Sequence, residues 1–544
     1  MGTGGTAARP AIMFRDRRAF WFGTGAVIAG VVLHLPMFLG ARDMQYRLVG
    51  MPVDPGMLAG MGLIVGGLAL TAYGLVPARS ARRRADAAAN LRVQTLDEAP
   101  LRLAHVLLLL VMAAAVTIDV MKPTTLAFVV PGMAEEYGLK SALRPDGDVP
   151  VALFPFCALV GMVVGSFAWG WLGDRIGRRA SILLAGQMFI ATSICGSMPM
   201  FELNLVMCFL MGMAVGGMLP IAFALLAETM PVRHRSWLMV LIGGDVAGAY
   251  VVTSWLASWL EPQFGWRVMW LLGLPTGVML IGLNRWIPES PRFLLAMGRA
   301  TEARAIMERF GARLVAAGPD ETADQEPESR FAQLFRRPFG RVTVCVALFG
   351  IGWGLVNNGF LLWLPTNLRA GGLDAAAADR LLADAALIGL PATFVVALLY
   401  GFWSSRWTMI ALAALTAATL ATFAALGDEA GRHPDVLQAL IVLLLVGTSS
   451  MLAMLTPYGS EVYPTRIRAR GTGLAGVCAR AGGVLGVGVV VVGIAPPSLR
   501  GAALIGALPV ALAALAVARF GIETRRRGLE EITAMELRKA LEAG

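Results

Sequence analysis

Fourteen segments of this chain are each apolar enough and long enough to cross a lipid bilayer. A helix needs ~20 mostly apolar residues to span the hydrocarbon core. The predicted spans are residues 20–40, 56–77, 105–131, 150–172, 180–199, 203–227, 237–259, 268–287, 342–365, 382–403, 408–426, 436–458, 473–494 and 502–520. Backbone polar groups cannot stay unpaired in lipid, so such segments must be helical. The pattern predicts an all-α integral membrane protein.

The composition agrees with a membrane location and excludes other classes. Of the 544 residues, 57% are hydrophobic and 15% are charged, whereas soluble domains average about 25% charged residues. The net charge of +10 does not indicate nucleic-acid binding, because lysine and arginine lie in short loops between the spans. The 5 cysteines fall in apolar segments without a C-x-x-C pair, so we predict neither disulfides nor a metal site.

Nothing in the sequence indicates an enzyme. Residues 471–476 match G-x-G-x-x-G, but no strand precedes them and they open a membrane helix, which favours helix packing. A Walker loop, a metal-binding H-E-x-x-H motif and a nucleophile elbow are all missing from the sequence. We therefore expect no enzymatic activity and no cofactor.

Clusters of arginine define the expected orientation. An even number of spans places both termini on one side of the membrane. The loops on that side include the basic clusters at residues 79–84, 175–179, 233–235, 466–470 and 525–527. Positively charged loops remain in the cytoplasm. We therefore expect both termini to be cytoplasmic and the protein to lie in the inner membrane of a bacterial-type cell.

A short loop between the fourth and fifth spans combines glycines with one acid and three arginines. Its residues are Gly170, Gly173, Asp174, Arg175, Gly177, Arg178 and Arg179. A loop this short must turn the chain sharply at the membrane surface, which glycine permits.

The chain contains an internal duplication. The pattern E-x-x-P-x-x-x-R occurs at residues 228–235 and again at 461–468. Its members are Glu228, Pro231 and Arg235 in the first copy and Glu461, Pro464 and Arg468 in the second. The duplication predicts two six-helix bundles, 101–287 and 342–520, joined by an amphipathic cytoplasmic linker at 288–341. Transporters that work by alternating access are built from such repeats, with the substrate site between them.

The remaining segments flank the repeated core. Residues 1–100 hold the first two spans, which we interpret as a membrane hairpin followed by a basic linker. A cleaved signal peptide is the alternative for the first span, but its apolar run is too long and a second span follows. Residues 521–544 form a cytoplasmic tail.

The loop at residues 170–179 resembles the G-x-x-x-D-R-x-G-R-R loop between core helices two and three of major facilitator superfamily transporters. Residues 288–294, 458–465 and 523–531 are similar to the sugar-porter branch and its organic-ion relatives. The resemblance covers about residues 101–535. It implies a twelve-helix 6+6 fold, here with two extra N-terminal helices. It also implies that the protein transports a small-molecule substrate.

In that family a charge network at the cytoplasmic ends locks the inner gate. The gate residues implied by the motifs are Gly170, Gly173, Asp174, Arg175, Gly177, Arg178, Arg179, Glu228, Pro231, Arg235, Glu289, Arg292, Glu461, Pro464, Arg468 and Glu523. The resemblance implies that Asp174 faces core helix eleven and that Arg178 and Arg179 pair with Glu228. Charge pairs at the membrane rim suit a gate because they can break and re-form at a modest cost in free energy. The alternative is that the arginines only set topology.

The chain also departs from the family pattern. Its second-half loop at residues 400–406 has one arginine and no acid, so we expect a weaker network there. Cys208 stands where many relatives carry an arginine tied to proton coupling. Sugar-binding glutamines are missing from core helices five and seven, which instead offer Asp245 and the pair Asn357 and Asn358. These departures disfavour a sugar substrate.

Charged residues inside predicted spans cost ~2.5–3.5 kcal/mol each on insertion scales, so they usually serve a function or pair. Asp119 and Lys122 lie three residues apart in core helix one, on one helical face, and Pro123 predicts a local break. One interpretation makes Asp119 the proton site and Lys122 its modulator. The other is a self-satisfied ion pair.

Arg480 in core helix eleven and Asp245 in core helix five border the predicted cavity. A cavity arginine suits a carboxylate or phosphate, and Asn357 or Asn358 would hydrogen-bond the substrate. The alternative is a structural contact of Arg480 with Asp245 or with a backbone carbonyl.

Together these features predict a monomeric secondary transporter that couples uptake of a small organic anion to protons. The alternatives are a proton-linked efflux antiporter and a membrane receptor with a transporter-like body.

Overall fold

The structure is almost entirely helical. The computed structural model describes residues 14–76, 91–94, 101–311, 313–316, 331–336, 339–427, 433–463, 465–492 and 499–524. Within these ranges, thirteen helices are long and apolar enough to span a membrane. The predicted span at 150–172 is also helical, although its apolar stretch, Leu153–Trp169, is shorter. The predicted membrane fold is thereby confirmed.

The helices form an N-terminal hairpin followed by the first six-span bundle. The hairpin consists of α1 (Arg17–Val32), α2 (Leu35–Gly40) and α3 (Pro55–Leu75). The first bundle consists of α4 (Leu103–Glu136), α5 (Leu153–Ile176), α6 (Arg178–Thr192), α7 (Phe201–Val215), α8 (Met218–Thr229), α9 (Val232–Gly243), α10 (Asp245–Phe264), α11 (Val268–Leu271) and α12 (Gly273–Leu283). Numbered within the twelve-span core, spans one, two and three are α4, α5 and α6, and the pairs α7–α8, α9–α10 and α11–α12 are spans four, five and six.

A linker and the second bundle complete the core. The linker holds α13 (Pro291–Ala296) and α14 (Ala300–Arg309). The second bundle consists of α15 (Gly340–Gly359), α16 (Leu364–Ala370), α17 (Ala375–Leu398), α18 (Ser405–Leu426), α19 (Pro434–Val462), α20 (Thr465–Val491) and α21 (Leu499–Phe520). In the core numbering, the pair α15–α16 is span seven, and α17 to α21 are spans eight to twelve. Short 3₁₀ or π turns lie at Arg42–Met44, Ser193–Ser197, Asn284–Trp286, Phe331–Leu334, Leu361–Trp363 and Leu399–Trp403. We call the membrane face that carries the linker the linker rim, and the opposite face the far rim.

Local sequence explains where several helices begin. The Asp16 carboxylate accepts hydrogen bonds from two backbone N–H groups at the start of α1, and Asp54 caps α3 with Pro55 in the first turn. Asp374 and Ser404 cap α17 and α18 in the same way. Short polar side chains at these positions satisfy N–H groups that have no partner within the helix.

The described ranges include one small sheet that the sequence did not predict. β1 (Leu91–Gln94) pairs antiparallel with β2 (Arg313–Ala316). Nearby, an Arg102 guanidinium N–H donates to the Glu308 carbonyl at 2.9 Å. The strands bring the segment after the hairpin onto the linker, and a pairing so distant in sequence leaves no local pattern.

The hairpin packs on α6 of the first bundle. Helices α1 and α3 approach closely, since a Cβ on Gly30 would lie 2.6 Å from the Gly60 carbonyl oxygen. Small residues allow such backbone contact in membranes. The Gln187 amide of α6 donates to the Thr24 hydroxyl at 2.6 Å, and both side chains are buried. The extra helices therefore belong to the first bundle's side of the molecule.

The hairpin is also attached at the far rim, through Glu136 at the end of α4. The backbone N–H groups of Leu48 and Val49 donate to its Oε1 at 2.7 and 3.2 Å. Arg267 donates to both carboxylate oxygens at 2.8 and 3.0 Å, and the Trp266 indole N–H donates to Oε2 at 2.9 Å. The loop between α2 and α3 is thus joined to the end of α4, which is in turn joined to the residues just before α11.

Candidate functional site

The two bundles meet around breaks in two spans of the first bundle. Span four breaks at residues 216–217, and span five breaks at Gly244. A Cβ on Gly243 would lie 2.8 Å from the Ala453 Cα in the second bundle, and one on Gly244 would lie 2.0 Å from the Thr393 Cγ2. Glycine is required for this close approach. Helix α5 packs against α20, and α10 packs against α17.

Asp119 of α4 is fully buried, and neither of its carboxylate oxygens has a hydrogen-bond partner among the residues that the structure describes. Arg480 of the second bundle is the charged group that acts on it electrostatically. A buried carboxylate without a partner is costly while it is charged. This side chain is therefore a clear candidate for a functional group.

Lys122 does not pair with Asp119, whose carboxylate oxygens have no partner among the described residues, so the interpretation of a self-satisfied ion pair is wrong. The Lys122 ammonium lies 5.7 Å from the centre of the Phe189 ring. It would also lie 2.7 Å from a Cβ on Gly273. The amine therefore points between α6 and α12, inside the first bundle. The predicted break at Pro123 is also wrong, because α4 continues through it.

Arg480 connects the two bundles through a backbone carbonyl. Its Nη2 donates to the Gly216 carbonyl at 2.7 Å, and its Nη1 lies 3.5 Å from the Gly476 carbonyl of its own helix. The Ser166 hydroxyl donates to the same Gly216 oxygen at 2.8 Å. Of the structural alternatives for Arg480, the carbonyl contact is the one observed.

Asp245 has a different partner from the one considered for it. The Thr117 hydroxyl of α4 donates to its Oδ2 at 2.6 Å. Asp245 therefore joins spans one and five within the first bundle.

The two asparagines of α15 differ in their surroundings. The Asn358 amide donates to the Gly354 carbonyl at 3.2 Å and lies against Gly483 of α20. Asn357 is half-buried and points about 100° away around the helix. Asn358 is thus engaged within the second bundle.

At the linker rim, Glu289 caps the start of α6. Its Oε1 accepts backbone N–H groups from Arg178 at 2.7 Å, Arg179 at 3.3 Å and Ser290 at 3.0 Å. Burial raises the pKa of Glu289 to about 7, although these N–H groups favour the charged form. Gly177 makes room for the carboxylate at a φ of +95°, because a Cβ there would lie 2.7 Å from its Oε2.

Arg179 reinforces this connection between spans three and six of the first bundle. Its Nε donates to the Asn284 backbone carbonyl at 3.1 Å and to the side-chain oxygen at 3.0 Å. The Asn284 amide donates back to the Arg179 carbonyl at 2.9 Å.

The second bundle repeats this arrangement. Glu523 follows α21 and accepts from the Ser405 N–H at 2.9 Å and the Ser405 hydroxyl at 2.7 Å, and it also contacts Ser404. Arg406 donates to the Ala518 carbonyl, as Arg179 does to the carbonyl of Asn284. Serines replace the glycine and arginine of the first copy, yet the cap itself is retained.

Glu461 carries the contact between bundles at this rim. It accepts from Thr524 at 2.7 Å and from Tyr400 at 3.1 Å within the second bundle. From the first bundle, Ser236 and Arg235 act on it electrostatically, and both favour its charged form. Burial raises the pKa of Glu461, and these partners oppose the shift.

The other predicted gate residues are described only in part. Pro231 precedes α9 as its N-cap residue, Arg175 is exposed, and Gly173 lies in the last turns of α5. Gly170 and the side chains of Asp174, Glu228, Arg292, Pro464 and Arg468 lie outside what the structure describes. The pairing of Arg178 and Arg179 with Glu228, and the roles of Asp174 and Arg468, stay predictions.

Sequence reasoning missed a charged cluster at the far rim. Arg369, at the end of α16, contacts Glu261 of α10 and Asp379 of α17. All three lie near the ends of apolar segments, where charges commonly mark only a membrane boundary. A better signal would have been their position on spans five, seven and eight, which meet at the bundle interface.

Comparison with known proteins identifies the family. The family described as sugar (and other) transporter matches residues 125–535. The niacin transporter NiaP of Acinetobacter baylyi is 25% identical over 72% of this chain and 88% of its own length. A gallate transporter of Pseudomonas putida is 28% identical over 81% of this chain and 96% of its own.

Solved structures agree on the fold. The proton:xylose symporter XylE bound to 6-bromo-6-deoxy-D-glucose superposes with a TM-score of 0.61 at 16% identity, covering 79% of this chain and 99% of that one. The named relatives are transporters rather than enzymes, and the 6+6 architecture is the one the sequence predicted. The chain belongs to the sugar (and other) transporter family of the major facilitator superfamily.

Proposed function

We propose that this transporter couples uptake of a small organic anion to protons, with Asp119 as the proton site and Arg480 as the anion site. The observation that carries the proposal is the buried carboxylate of Asp119, which has no hydrogen-bond partner among the described residues and lies within electrostatic reach of the half-buried Arg480 of the opposite bundle. Protonation would remove the cost of holding that carboxylate charged in an apolar environment. The two bundles share this pair of groups, so loading it can bias their relative position.

Arg480 is suited to a carboxylate substrate. Its hydrogen bonds go to the neutral carbonyls of Gly216 and Gly476. A substrate carboxylate would offer a bidentate, charge-assisted pair in their place. Binding would then release Arg480 from Gly216 and loosen one contact between the bundles. Niacin and gallate, which the named relatives carry, are both aromatic carboxylates, and this supports the same substrate class here.

The remaining groups have supporting roles in this proposal. Asp245, held by Thr117, and the half-buried Asn357 would bind polar atoms of the substrate. Lys122 lies too far inside the first bundle to touch the substrate, and it would act on Asp119 only through its charge.

We further propose how the molecule sits and moves. The linker rim faces the cytoplasm of the inner membrane, because the arginine-rich loops lie there. Residues 101–287 and 342–520 rock as two bodies about the site, with Arg235 and Glu461 among the residues that close the linker rim. The protein works as a monomer.

The test is flux into proteoliposomes with an imposed pH gradient, screened over aromatic and aliphatic carboxylates, sugars and cations. Arg480→Gln should reduce uptake at least tenfold. Asp119→Asn should abolish accumulation driven by the gradient while retaining exchange of labelled for unlabelled substrate. Arg380→Gln and Asp384→Asn, which alter exposed residues of α17, are the matched controls.

Three outcomes would overturn the proposal. Accumulation against a gradient by Asp119→Asn would remove that residue as the proton site. Normal saturable uptake by Arg480→Gln would remove the anion site, and transport driven only outward would favour the efflux antiporter instead.

A further inference from the structure

We propose that Arg369, Glu261 and Asp379 form a latch that holds the two bundles together at the far rim. Arg369 presents Nη1 to Glu261 Oε1 at 3.1 Å and Nη2 to Glu261 Oε2 at 3.2 Å. Its Nη2 also lies 3.2 Å from Asp379 Oδ2. The guanidinium thus makes a two-pronged contact with one carboxylate and a second contact with another. This far-rim latch goes beyond the proposed substrate and coupling, and it depends only on the rocking of the two bundles.

The latch spans the interface in a defined way. Glu261 lies in the last turn of α10, in the first bundle, whereas Arg369 and Asp379 lie on α16 and α17 of the second. The Arg369–Glu261 contact is therefore the one that must break when the far rim opens. The Arg369–Asp379 contact lies within one bundle and can persist. Asp379 would then hold the Arg369 guanidinium in position, so that its two hydrogen bonds to Glu261 can form again when the rim closes.

Burial makes the latch both selective and reversible. The side chains of Arg369, Glu261 and Asp379 are 11%, 9% and 0% exposed. Buried ion pairs gain strong attraction but lose hydration, so their net stability is modest. Opening the rim readmits water to all three groups and compensates for the broken contact. If a substitution removes one of the three charges while the rim stays closed, the remaining charges stay buried without that compensation.

The charges of the latch are unbalanced, which also favours a mobile contact. Two carboxylates face one guanidinium, and the buried hydroxyl of Tyr250, which has no hydrogen-bond partner among the described residues, lies within electrostatic reach of Asp379. The attraction of Arg369 is therefore divided between two acids. When the contact between Arg369 and Glu261 breaks, the guanidinium still has Asp379 as its counter-charge.

Span five would thus carry a contact at each rim. At the linker rim, Arg235 and Ser236 at the start of α9 act on Glu461. At the far rim, Glu261 near the end of α10 binds Arg369. A rocking motion that opens one rim must release one contact and keep the other. Span five would therefore act as the element on which each rim closes.

The experiment measures the far-rim distance directly, without any substrate. Spin labels are placed at Gln263 and Ala377, which are exposed on the two sides of the latch, in a background with the native cysteines replaced. Pulsed electron paramagnetic resonance then gives the distance distribution in nanodiscs. Glu261→Gln keeps the side-chain shape and removes the charge that crosses the interface. Its control is Glu202→Gln, an exposed acid at the start of α7 on the same rim.

We expect Glu261→Gln to add a longer-distance population that the parent and Glu202→Gln lack. Arg369→Gln should add the same population, and the double variant should not exceed either single one, because both remove the same contact across the interface. Arg369→Lys, which keeps the charge but loses the fork, provides a milder variant if Arg369→Gln does not insert. Distance distributions of Glu261→Gln and Arg369→Lys that coincide with the parent's would overturn the latch. That result would leave the uptake tests of Asp119 and Arg480 unaffected.

Discussion

Replacing Glu136 with glutamine should destabilise the protein far more than the same change at its neighbour, Glu135. The Glu136 carboxylate accepts five N–H groups, from Leu48, Val49, Trp266 and twice from Arg267. Its pair with Arg267 is buried, with side chains 5% and 0% exposed. Glu135 pairs with Arg47 at 2.5 Å, but those side chains are 70% and 56% exposed.

The expected magnitudes follow from this difference in burial. Glutamine has one acceptor oxygen and one donor group, so its NH₂ would face N–H donors on one side of the site. It would also leave Arg267 buried without a counter-charge. Breaking a buried pair in this way costs about 3–5 kcal/mol. An exposed pair contributes about 0–1 kcal/mol, so Glu135→Gln should be nearly neutral.

The measurement is unfolding in mixed micelles by titration with sodium dodecyl sulfate, followed by tryptophan fluorescence. A second comparison tests the cause, since Glu136→Gln combined with Arg267→Met removes the stranded charge and should recover part of the lost stability. If Glu136→Gln and Glu135→Gln differ by less than about 1 kcal/mol, the reasoning about the buried network is refuted.

Two further predictions concern the linker rim and the first bundle. The pKa of Glu289, raised from 4.5 to about 7, means that the folded state binds its proton more tightly than the unfolded state, so its contribution to stability is present below about pH 4.5 and is lost as the pH rises through 7. Glu289→Gln should therefore flatten the pH dependence of unfolding between pH 5 and 8, and a slope unchanged from the parent's would contradict this. Lys122→Met should retain gradient-driven uptake within about threefold of the parent, because the amine lies between α6 and α12; a loss as complete as that of Asp119→Asn would show that its charge is needed.

The spans were predictable because lipid imposes a simple local rule. Every crossing must be helical and mostly apolar, so hydropathy alone located the helices. The two copies of the Glu, Pro and Arg pattern lie at equivalent places, since each stands where one helix ends and the next begins. The resemblance pointed to Glu289 and Glu523. Only the structure shows what they share, which is a carboxylate that accepts backbone N–H groups at the start of a helix.

The contacts between helices were not predictable from spacing. Asp119 and Lys122 lie three residues apart, which placed them on one face of α4, yet their side chains diverge toward different neighbours. The Thr117–Asp245 bond and the Glu261–Arg369 fork join residues more than 100 positions apart. One sequence carries no local trace of such pairs, because each partner alone has the appearance of an ordinary charge near a helix end.

The two capping carboxylates fit the proposed rocking of the bundles as two bodies. Glu289, beyond span six, closes the start of span three in the first bundle, and Glu523, beyond span twelve, closes the start of span nine in the second. Arg179 and Arg406 add a bond to a backbone carbonyl on the same pair of spans. Each fastening lies within one bundle, so neither must break when the bundles rock. In the proposed rocking, motion would therefore fall on the contacts that cross the interface, those of Arg480, Glu461 and Arg369 among them, and substitutions at these sites should alter conformation more than stability.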